Sequence, residues 1–139
     1  SNELNNILIG NGAKNILNGG AGNDILIGGG GLDKLTGGTG ADIFKFVGLS
    51  DSVVGANRDI ITDFNMAQGD KIDFSQMVAS IKLPNSQVFH WADSGFTGHA
   101  GEVCEKADVL MCDINGDAKA DFEVQLVGVT HIQHDLLIL

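Results

Sequence analysis

The chain has 139 residues, 43% of them hydrophobic, enough for one domain or two small ones with a core. Its 18 acidic and 8 basic residues give a net charge of −10, which disfavours nucleic acid and anionic membrane surfaces and favours cations as partners. The apolar runs are far too short to cross a bilayer, so no membrane insertion is expected, and two cysteines are too few for a disulfide scaffold.

No signal-peptide pattern opens the chain, and "SNELNN" begins inside a repeat, which reads as the C-terminal piece of a larger protein. Five frames of nine residues follow in register: "SNELNNILI", "GNGAKNILN", "GGAGNDILI", "GGGGLDKLT" and "GGTGADIFK". Their sixth positions are Asn6, Asn15, Asp24, Asp33 and Asp42, and their eighth positions are Leu8, Leu17, Leu26, Leu35 and Phe44. A further frame from Phe46 has lost its glycines but keeps Asp51 and Val53 at those positions. Glycine weakens helices and strands alike, so glycine at fixed places beside fixed apolar residues points to turns held by something outside the chain.

The last three complete frames match G-G-x-G-x-D-x-U-x, with U a large apolar residue, and this pattern resembles the RTX nonapeptide repeat of bacterial exported proteins. The resemblance implies a parallel β-roll with Ca²⁺ as its cofactor, several ions in all. The physics agrees. Six residues turn and three extend, glycines permit positive φ, and inward carbonyls with one carboxylate per turn offer the all-oxygen cage of a hard cation. Repeats two apart would stack, pairing Asp24 with Asp42 and Asp33 with Asp51, and more weakly Asn15 with Asp33 and Asn6 with Asp24. The resemblance adds backbone carbonyls near Gly19, Ala21, Gly22, Gly28, Gly30, Gly31, Gly37, Thr39 and Gly40. Eighth-position residues point into the roll. Ile7, Ile9, Ile25, Ile27 and Ile43 then form an apolar outer face, expected to be covered by the rest of the chain or by a preceding portion.

Past Val54 the repeat stops. "RDIITDFNMAQGDKIDFS" reads as strand, turn and strand, "DFSQMVAS" as a short helical turn, "SQVFHW" as a strand, and the remainder as antiparallel strands with tight turns. The expected fold is all-β: a parallel roll over residues 1–54 and an antiparallel β domain over residues 55–139. "DSVVGANRDIITDFNMAQGDKIDFS", "FTGHAGEV", "DINGDAKADFEVQLVGV" and "DLLIL" resemble the C-terminal domain of serralysin-type secreted metalloproteases, and related domains end lipases and mannuronan C5-epimerases. That resemblance implies a further calcium shared by Asp63 and Asp70, with Asp59 as a spare candidate and a plain solvated turn as the alternative. It also implies secretion through type I export machinery that reads the acidic-then-apolar tail Asp135–Leu139. A final strand tucked into the core is the alternative role for that tail.

Several other features carry less. The proteolytic H-E-x-x-H-x-x-G-x-x-H site is absent, and His90, His99, His131 and His134 read as surface or packing residues. "DINGDAKAD" spaces Asp113, Asn115, Asp117 and Asp121 as in an EF-hand loop but has Val124 where the twelfth-position Glu belongs, so a hairpin turn is favoured. Phe89, Trp91, Phe96 and Phe122 read as core before they read as a carbohydrate platform. Cys104 and Cys112 read as free thiols, with one hairpin disulfide as the alternative and zinc disfavoured. The expected function is a non-catalytic, extracellular module that folds on external calcium, carries the export signal and supports the N-terminal domain of its parent. The alternative is a polysaccharide-binding module like that of a mannuronan C5-epimerase, against which the net charge argues.

Overall fold

The computed structural model describes residues 3–80, 90–92, 94–129 and 137–138. His131, His134, Phe89, and Asp135, Leu136 and Leu139 of the tail lie outside the described residues.

Strands β1 (Ile7–Ile9), β2 (Ile16–Ala21), β3 (Ile25–Ile27), β4 (Lys34–Thr39) and β5 (Ile43–Lys45) coil through the repeats, alternating between two sheets. Two further turns use β6 (Asp59–Ile61) and β7 (Lys71–Asp73). A short helix α1 (Ser75–Ser80) follows, then β8 (His90–Trp91), β9 (Glu102–Lys106), β10 (Val109–Asp113), β11 (Phe122–Leu126) and β12 (Leu137–Ile138). One sheet runs β1-β3-β5-β7-β12 and the other β2-β4-β6-β11-β10-β9-β8. The first is parallel throughout, while the second changes to antiparallel at β11-β10-β9. Among the described residues no helix is long and apolar enough to cross a membrane.

The nine-residue period sets this register. Two repeats make one coil, so Ile7 pairs with Ile25, Ile25 with Ile43, and Ile16 with Lys34. Both ladders run on past residue 54: Lys34 pairs with Ile60 and Ile43 with Lys71. The stretch after Val54, which lacks the G-G-x-G spacing, therefore adds another coil, and both sheets continue from the roll into the later strands. The terminal segment Leu137–Ile138 pairs in parallel with Ile72–Asp73, consistent with the final-strand role.

Strand alternation turns the eighth-position residues of the five complete frames inward, whereas Val53 of the further frame stays exposed. Leu26, Leu35 and Phe44 are fully buried, Ile61 and Ile72 continue the same column, and Leu8 and Leu17 pack at its open end. Beyond the roll, Phe46, Phe74 and Phe122 meet at centroid distances of 5.2–5.9 Å, two of the three pairs edge-to-face. Phe122 is thus core, as expected, and Trp91 packs against it half-buried. On the outer face Ile25, Ile27 and Ile43 are half-buried, but Ile7 and Ile9 stay 67% and 69% exposed, so the described residues do not supply the first of the two expected covers.

The cysteines occupy adjacent strands but opposite faces. Cys104 pairs with Met111 and Cys112 with Val103, and residues directly opposite in a ladder share a face. Both are buried free thiols, and their opposite directions exclude the hairpin disulfide.

Candidate metal centre

Each turn of the roll delivers its sixth-position side chain to the seam between the sheets, where two columns form. On one side the Asn6 amide donates to Asp24 Oδ1 (2.7 Å), the Asp24 amide to Asp42 Oδ1 (2.8 Å), and the Asp42 amide to Asp70 Oδ1 (2.9 Å). On the other, the Asn15 amide donates to Asp33 Oδ1 (2.8 Å) and the Asp33 amide to Asp59 Oδ1 (2.8 Å). The Asp59 amide donates to Ser52 Oγ (2.8 Å), and Ser52 in turn donates to the Glu123 carbonyl. One carboxylate oxygen of each residue thus fastens its own coil to the neighbouring one.

The second oxygen is different. Asp24, Asp33, Asp42 and Asp59 are at most 1% exposed, and the Oδ2 of each is buried without a hydrogen-bond partner. Leaving a buried carboxylate oxygen unpaired is costly, so such an oxygen calls for a cation or a proton. Burial pushes the Asp33, Asp42 and Asp70 carboxyls above their ordinary range despite the backbone N–H groups that oppose it. Neighbouring acids push the same way: Asp51 acts on Asp33, while Asp70, Asp24 and Asp63 act on Asp42. Burial raises Asp59 furthest, to about 8, with Asp33 and Asp51 adding repulsion.

The glycines explain why these oxygens have room. A Cβ on Gly19 would stand 2.8 Å from Asp24 Cγ and 2.6 Å from the Gly37 carbonyl oxygen. The same addition at Gly28 and Gly37 would meet Asp33 and Asp42. Gly38 (φ 104°) and Gly40 (φ 123°) take left-handed backbone, and a Cβ on either would collide with the carbonyl of Gly20 or Gly22 on the next coil. Orphaned carboxylate oxygens beside crowded carbonyls form an all-oxygen donor set. That set fits Ca²⁺, which accepts six to eight oxygens in flexible geometry, and does not suit a metal that prefers thiolate or imidazole.

The expected residues separate as follows. Asp24 and Asp42 stack as expected. Asp33 stacks with Asp59 in place of Asp51, because the coil step lengthens there from 18 to 26 residues. Asp51 instead closes its own turn, accepting from the amides of Val47 (2.7 Å) and Gly48 (3.3 Å), although its charge still reaches Asp33 and Asp59. Asp63 and Asp70 flank one turn as expected, but with separate tasks. Asp63 accepts from the Gly37 and Gly38 amides (2.9 and 2.8 Å), and Asp70 from Asp42 and Asn65. The Asn15 amide oxygen is taken by the Asn11 N–H (2.8 Å). Ala21 pairs with Thr39 in the β2–β4 ladder, and the Thr39 carbonyl accepts from Gly22 (2.9 Å). Gly30 lies beside the Ser50 carbonyl and Gly31 (φ 96°) against Ala13.

Asp59 was legible as a stack member. Asp59-Ile60-Ile61 repeats the Asp24-Ile25-Leu26 signature, and Asp70-Lys71-Ile72 repeats Asp33-Lys34-Leu35, without the glycines. The EF-hand-like spacing resolves as a hairpin loop between β10 and β11. Both Asp113 oxygens accept backbone amides, from Gly116 and Ala118, and Asp121 accepts from Ile114. His90 Nε2 and His99 Nδ1 flank buried Glu102, 4.0 and 3.8 Å from its Oε1.

The comparisons agree with the all-β fold. The chain is similar to two subunits of the Azotobacter vinelandii mannuronan C5-epimerase. AlgE6R3 is 30% identical with a TM-score of 0.56, over 98% of this chain and 78% of that one. AlgE6R2 is 26% identical with a TM-score of 0.61, over 95% and 91%. No curated protein sequence matches the chain. The family model described as peptidase M10 serralysin C terminal matches residues 4–138. The chain therefore belongs to the serralysin C-terminal family, a non-catalytic RTX-type calcium-binding β-roll module.

Proposed function

We propose that this chain is the calcium-dependent folding module of a secreted protein. It stays open at low calcium inside the cell, passes through a type I channel that reads its C-terminal segment, and closes on meeting external calcium. Closure then supports the N-terminal domain of the parent. The observation that carries this reading is the set of four buried, unpartnered Oδ2 atoms on Asp24, Asp33, Asp42 and Asp59. These, with glycine carbonyls of adjacent turns, would hold the ions, and Asp51, Asp63 and Asp70 would add charge around them. Calcium supplies the positive charge that cancels carboxylate repulsion and ties coil to coil. Extracellular modules bind calcium with Kd of about 10⁻⁴–10⁻³ M. At roughly ten times Kd each site adds about 1.4 kcal/mol, so three sites approach the lower end of a whole domain's stability of about 5–15 kcal/mol. Isothermal titration of the EDTA-treated chain with CaCl₂ tests this. Uptake of more than one ion, little affected by excess magnesium, is expected. A chain that takes up no calcium at millimolar concentration overturns it.

A second reading is that the module also holds a uronate polysaccharide. The similarity to two mannuronan C5-epimerase subunits favours it.

A further inference from the structure

A chain of net charge −10 can hold a polyanion only where cations gather, and its eight basic residues are scattered in sequence. Folding brings two of them together. An open groove of about 800 Å³, within the usual size of ligand sites, lies against the β9–β10–β11 sheet. Its floor is the cross-strand row Cys104–Met111–Glu123, Phe96 stands in its wall, and Lys106 and Lys119 line it from the end of β9 and from the β10–β11 loop.

We propose that this groove is the seat of one uronate unit of an anionic polysaccharide, an assignment that rests on the polysaccharide-holding reading above. Charge is the first reason. Glu123 is already neutralised by Arg58 (3.2 Å) and fixed by the Gly55 amide (2.9 Å), so among the lining residues only Glu105 is left to oppose the two lysines. The groove therefore carries local positive charge on an acidic molecule. Surface form is the second. Phe96 and Met111 present an apolar patch for the C–H face of a sugar ring, while both lysines are exposed and able to reach its carboxylate. Glu123, held in place, can accept a sugar hydroxyl. The roll's own carboxylate columns are closed to such a ligand by burial.

Titration of the ¹⁵N-labelled full chain with a short oligomannuronate, at fixed calcium, tests the assignment. Shifts are expected at Phe96, Met111 and the two lysines. Lys106→Ala with Lys119→Ala should weaken binding roughly fivefold to tenfold, and Lys45→Ala on the opposite sheet should not. Raising the salt concentration should weaken binding to the native chain, a readout that needs no variant. Binding with shifts confined to the roll overturns the groove and leaves the polysaccharide reading standing. No binding overturns both. Equal competition by a glutamate-rich peptide shows a general anion site and overturns the uronate assignment.

Discussion

Replacing Asp42 with Asn separates an ion ligand from an ordinary buried acid. The substitution keeps an oxygen to accept the Asp24 amide, as Oδ1 does at 2.8 Å, and removes only the charge and the unpartnered Oδ2. Without calcium the carboxylate is a burden, buried and repelled by Asp70, Asp24 and Asp63. Asp42→Asn should therefore retain at least as much β signal in EDTA as the native chain. With calcium the sign reverses. Losing one site at calcium ten times Kd costs about 1.4 kcal/mol. At about 2.1 cal/mol/K per residue, 139 residues give an unfolding entropy of about 0.29 kcal/mol/K, so Tm should fall by about 5 °C. Circular dichroism melts in EDTA and in calcium read both arms. A variant destabilised in EDTA and unchanged by calcium would refute the reasoning, since the Oδ2 would then be bonded within the protein.

Further expectations concern the glycines, the acids and the thiols. Gly38→Ala combines a left-handed φ of 104° with a collision at Gly20 and should destabilise the loaded protein by more than about 2 kcal/mol in a chemical melt. Gly12→Ala meets nothing within 4 Å and should stay within about 0.5 kcal/mol of the native chain. Asp59 rises from 3.8 to about 8 on folding, so its contribution is fully present below pH 3.8 and lost as pH climbs through about 8. The EDTA-treated chain should then lose β signal between pH 4 and 8, and a flat profile would count against the buried carboxylates. Burial pushes both thiols up, Cys112 most, so neither should react with a thiol reagent until the chain is denatured.

The repeat made much of the roll readable because one period set turn, strand and ion position together. A sixth-position acid and an eighth-position apolar residue suffice to stack Asp24 on Asp42 and Leu26 on Phe44. What escaped was the last coil. Its turns are longer, so counting nine residues from Asp42 arrived at Asp51, whereas hydrogen-bond register selects Asp59. Register answers to the whole ladder, and Ile60 and Ile61 fit beside Lys34 and Leu35 whatever the loop between them does. The antiparallel strands were readable as strands. The groove that gathers Lys106 and Lys119 was not, because it depends on which loops fold over one face of the sheet.

The most direct measurement is far-UV circular dichroism of the EDTA-treated chain during a calcium titration, with magnesium as the control. Cooperative appearance of β signal with calcium and not with magnesium is the predicted result, because only the larger ion accepts an irregular cage of carboxylates and carbonyls. A chain already fully folded in EDTA, melting at the same temperature with and without calcium, would contradict the account.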